Sequence, residues 1–177
     1  MDNSERNYRD TPTTSRKHLK RLTDYITKLL ESGRNLEAHY FFLELCKINP
    51  SHEKTIRLGY SIAISLFDND GVSKYDKLLA DSNPDINELL WFQLRYYHSL
   101  NNNSACERVS CELLKKMRDN KYLPIIIEVC IERKSYVIAE HLAQFLAKNR
   151  LFLRPPTDTW LLHIVITKLL ETFWKYR

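Results

Sequence analysis

Three glycines in 177 residues leave little material for a loop that cradles phosphate, and neither GxGxxG nor GxxxxGK[ST] occurs. HExxH and GxSxG are missing too, which removes the commonest zinc-hydrolase and serine-hydrolase signatures. The four cysteines, Cys46, Cys106, Cys111 and Cys130, include no CxxC pair. They are expected to be small buried apolar groups in a reducing compartment rather than metal ligands or redox partners. No apolar run approaches the roughly 18 residues of a membrane span. Residues 1–15 lack the apolar stretch of a signal peptide and carry too many acids for a transit peptide, so an intracellular protein is expected.

What the chain does hold is apolar side chains at helical spacing. Hydrophobic residues make up 44% of it, with ten Tyr, seven Phe and three Trp. The net charge of +5 permits an acidic partner or nucleic acid and demands neither. From Arg16 the apolar positions are Leu19, Leu22, Ile26, Leu29 and Leu30, a helical stripe that ends at Gly33. A second helix is predicted from about Asn35 to Ile48, stopped by Asn49-Pro50 because the residue before proline avoids the α region. The short break between them makes an antiparallel hairpin.

That hairpin carries the spacing of a tetratricopeptide repeat. Ala38, Phe42, Leu45 and Pro50 fall where its second helix has a small residue, an aromatic, an apolar residue and a proline. Ile26 occupies a slot usually held by a small residue, so the repeat is degenerate. Recurrence supports the reading: the steps from Pro50 to Pro84 and from Ala105 to Ala139 both match the length of that repeat, about 34 residues. Leu58-Gly59 opens a second unit, whose second helix looks short at Val72–Ala80. A third unit places Leu89, Phe92 and Tyr96 inward and pairs them with Ala105 and Val109. A fourth uses Leu123, Ile126 and Cys130 with Ala139, Ala143 and Leu146. After Pro155-Pro156 a last helix, about Asp158–Tyr176, would cap the array. The expected fold is all-α, a right-handed superhelix of about four TPR-like helical hairpins with a C-terminal capping helix. Residues 1–14 are predicted to be a disordered basic tail and 15–177 a single repeat domain.

No enzyme is read from the residues, and no cofactor, metal or small-molecule substrate. The six histidines are scattered, and Asp68-Asn69-Asp70-Gly71 is expected to be a turn that lacks the distal glutamate of a calcium loop. Binding surfaces are better supported. Trp91, Leu94, Arg95 and Tyr97 are predicted to project from the third unit's first helix; Trp, Tyr and Arg are common interface anchors. Trp160, Phe173 and Trp174 spread apolar surface around the last helix, as expected of a segment covered by another subunit. Arg16, Lys17, Lys20, Arg21 and Lys28 form a basic ridge able to make weak DNA contact along a phosphate backbone.

Arg16-Lys17-His18-Leu19, Leu22-Thr23, Leu29, Ala38, Phe42-Leu43 and Leu58-Gly59 together resemble the repeat segment of one family over roughly residues 16–65. This is the helical-repeat, TBP-associated subunit of the RNA polymerase I core promoter factor. The resemblance implies a nuclear or nucleolar scaffold that joins other factor subunits and helps bring the polymerase to ribosomal RNA promoters. Two other functions fit the residues: a free-standing adaptor that binds a peptide in a concave groove, and a helical protein that binds nucleic acid through the 16–28 ridge.

Overall fold

A computed structural model of the chain describes residues 6, 8, 10, 17–82, 85–118 and 120–149. Among the described residues there are eight helices and no strand. They are α1 (His18–Glu31), α2 (Asn35–Ile48), α3 (Glu53–Ser65), α4 (Asn69–Ser82), α5 (Ile86–Ser99), α6 (Asn103–Lys116), α7 (Leu123–Arg133) and α8 (Tyr136–Lys148). No helix among them is long and apolar enough to cross a membrane.

The joint between the paired helices is the same each time. Gly33, Phe67, Asn101 and Lys134 all adopt positive φ, between 51° and 74°. At each one, its own N–H donates to the carbonyl three positions back, and the next N–H donates to the carbonyl five positions before itself. The donor–acceptor distances lie between 2.9 and 3.3 Å. This is a Schellman ending, which satisfies carbonyls that a helix otherwise leaves open. Successive turns recur at the tetratricopeptide period of about 34 residues, the last step falling one short of the first two. Behind three of them a capping side chain starts the next helix. Asp68 accepts from the Gly71 N–H at 3.0 Å, Asn102 from Ala105 at 3.1 Å, and Ser135 from Ile138 at 3.3 Å.

Burial follows the same period. At one fixed distance ahead of the four left-handed positions stand Leu22, Ile56, Leu90 and Leu123, at most 6% exposed. At a second fixed distance beyond them stand Leu45, Leu79, Leu113 and Leu146, at most 1% exposed. Each such side chain contributes about 2 kcal/mol of burial. The pattern corrects the expected register of the third unit. The slot of Ala38 is filled by Cys106, fully buried, and not by Ala105. Leu94, expected on the groove, is fully buried. The stretch around Asp68 is a helix start, because its aspartate serves as a cap. α4 therefore runs 14 residues and outgrows the expected Val72–Ala80.

Packing divides the chain into two compact units, residues 1–89 and 90–177. In the first, α1 and α3 each pack against α2, α1 also touches α3, and α3 lies along α4. The α3–α4 approach depends on Gly59, where an added Cβ would run into the Tyr75 ring. Tyr60 also donates to Asp76 across this pair. Arg57 reaches from α3 to Glu88 with two parallel bonds, Nε to Oε1 at 2.5 Å and Nη2 to Oε2 at 2.8 Å. In the second unit α6 packs on α7 and α8, and α7 packs on α8. Leu90 and Leu94 of α5 join Cys106, Leu113, Ile126 and Leu142 in one core.

Candidate interaction surface

Trp91, Arg95 and His98 lie at i, i+4 and i+7 on α5, so the helix presents them on one face. The Arg95 guanidinium sits 4.8 Å from the Trp91 ring centroid, a cation–π contact. Trp91 meets Phe92 edge-on at 4.7 Å and Tyr122 at 6.5 Å, and it is half-buried. Burial pushes the Arg95 guanidinium below its ordinary pKa, and Glu128 of α7 pulls the other way. Tyr97 turns from this face toward α6, where Arg108 lies 6.0 Å from its ring centroid, and it packs partly on the core. Trp91 and Arg95 thus stand together and Tyr97 stands apart from them.

Beside Arg95 the polar groups interlock. His98 Nε2 is 3.2 Å from Glu132 Oε2. Arg133 donates from Nη2 to the His98 carbonyl at 2.7 Å and from Nη1 to Asn101 Oδ1 at 2.6 Å. The same Nη2 lies 3.1 Å from His98 Nδ1. The donor atoms of His98, Glu128 and Glu132 all fall within 4.8 Å of one another, close enough to hold a divalent cation. Two features oppose that use. A guanidinium can only donate, so its approach to Nδ1 puts the ring proton on Nε2, the nitrogen that faces Glu132. Arg95 and Arg133 also already supply positive charge here. The geometry is that of a hydrogen-bond network, and it ties the α5 C-terminus to α7.

The basic ridge is uneven. Lys17, Lys20 and Lys28 are exposed and Arg21 is half-buried. Lys28 Nζ is engaged by Glu31 Oε2 at 2.7 Å. Arg16, Trp160, Phe173 and Trp174 lie outside the described residues. All four thiols are free, and burial raises each above its ordinary pKa, Cys130 to about 11. Thiols held protonated in this way are poor nucleophiles.

One contact is not legible in the sequence. Tyr8, in the segment expected to be a tail, stacks on Tyr25 at 5.4 Å and meets Phe41 edge-on at 5.5 Å. Its hydroxyl donates to Glu44 Oε2 at 2.9 Å. Burial, reinforced by this bond, pushes its pKa up to about 12. No helical periodicity surrounds Tyr8, so only its aromatic character hints at a docked residue. No protein-family model, curated protein or solved structure matches the chain.

Proposed function

We propose that this chain is a non-enzymatic scaffold built as a degenerate TPR-like array, whose first helices present a binding face to other protein subunits. The observation that carries the reading is the recurrence of one turn, at Gly33, Phe67, Asn101 and Lys134, with a buried leucine at the same distance beyond each. A chain that repeats one hairpin four times builds extended surface, the usual asset of a binding platform. The finer architecture, a right-handed superhelix closed by a helix near the C-terminus, belongs to this proposal. So does the assignment of partners. The resemblance over residues 16–65 makes them subunits of a nuclear transcription factor acting at ribosomal RNA promoters. Trp91, with Arg95 stacked on it, is the anchor on the described part of the face.

The test is a tagged pull-down from nuclear extract, with nuclease as control, comparing the natural chain with Arg95→Ala. Stoichiometric, nuclease-insensitive recovery of a few subunits, lost in the variant while its melting temperature holds, supports the scaffold. Recovery that nuclease abolishes would point to the basic ridge instead. If nothing stable is recovered, the promoter-factor assignment fails.

A further inference from the structure

The ends of α6 and α8 enclose an open groove of about 570 Å³. Its rim carries Lys115, Lys116, Arg118 and Lys148, and apolar Leu114, Met117 and Phe145 line it between them. No acidic residue lines it among the described residues. Lys116 is engaged by Glu112 Oε1 at 2.7 Å, while Lys115, Arg118 and Lys148 make no ion pair among the described residues. Lysines in a last helical turn are common because they complement the negative end of the helix dipole. That accounts for Lys115, Lys116 and Lys148 one helix at a time. It does not account for Arg118, which lies past the end of α6, nor for cations from both helices lining one groove.

We infer that this groove binds an acidic amphipathic segment of a partner protein, with carboxylates on the rim cations and an apolar side chain against the floor. Charge decides between occupants. The chain's own residues 150–177 carry five basic and two acidic residues, so their charge does not complement the rim. A nucleic-acid backbone matches the rim but offers nothing to the small apolar area that Leu114, Met117 and Phe145, each at most 8% exposed, leave open beneath it. The surface is separate from the α5 face, so the inference does not rest on the scaffold's partners being transcription subunits.

The probe is a fluorescein-labelled helical peptide of about eighteen residues, with Leu along one stripe and Glu elsewhere. Its anisotropy is read with the full chain over a salt series. Binding should weaken at least about tenfold in Lys115→Glu/Lys148→Glu and stay within about twofold in Lys54→Glu/Lys77→Glu, which changes net charge equally at two exposed lysines away from the groove. If the first pair lowers the melting temperature, Lys115→Gln/Lys148→Gln replaces it. Four results would overturn the inference: no binding by the natural chain, equal loss in both pairs, equal binding of a peptide with Ser for Leu, or tighter binding of oligo-dT that the groove pair abolishes. The last would make the groove a nucleic-acid site.

Discussion

The two units share an internal grammar and differ on their surfaces. In both, a left-handed residue ends the first helix of a hairpin, and buried apolar residues stand at the same two distances before and after it. Yet the pocket of about 400 Å³ in the first unit is lined largely by apolar atoms of Phe42, Ile56, Tyr75 and Leu78. The groove at the ends of α6 and α8 in the second is rimmed by cations. The first helices differ as well. In the first unit Arg57 of α3 bridges two carboxylates, Glu53 and Glu88, where His98 in the second lies between Arg133 and Glu132 of α7. A repeat constrains the residues that face inward and end its helices. It leaves the outward ones open to divergence, and binding specificity is drawn from these.

The strongest break in this equivalence would be a pair of matched truncations. Leu45→Ala and Leu113→Ala occupy the same slot, so each should cost about 3 kcal/mol in urea denaturation. A cost confined to one of them would mean that the shared register does not govern stability. The next test exploits a difference. Gly59→Ala drives a methyl group into the Tyr75 ring and should cost about 1–3 kcal/mol, part of it recovered when Tyr75→Val is added. If Gly59→Ala is neutral, the close α3–α4 approach is not a constraint. The smallest effect concerns the turns. Lys134 holds the left-handed conformation that Gly33 adopts freely, so Lys134→Gly should gain up to about 1 kcal/mol and Gly33→Ala should lose a similar amount. Calorimetry that found the same sign for both would remove the claim that the two turns are equivalent.

Gly33 and, more weakly, Asn101 are residue types that favour the left-handed conformation. Phe67 and Lys134 serve the same purpose without that preference, and bulky residues at positive φ leave no compositional trace. Sequence spacing aligns the third unit on Ala105, one position from its true register, because Cys106 and not an alanine fills the small-residue slot there. Asp68-Asn69-Asp70-Gly71 reads as a turn because its residue types favour turns. The same aspartate equally favours a helix cap, and local chemistry alone cannot choose. Of the residues expected on the α5 face, Trp91 and Arg95 do meet. Leu94 is core, and Tyr97 packs toward α6.

Helical type, the breaks at Gly33 and Asn49-Pro50 and the period of roughly 34 residues were set by the sequence itself. Apolar spacing, prolines and capping residues act over a few neighbours and leave a linear record. Tertiary structure alone decided which residues of α5 were covered, that Tyr8 was seated on Tyr25 and Phe41, and that cations from two helices met over one groove. Those outcomes depend on which surfaces approach each other across long stretches of chain, and no local pattern encodes that approach.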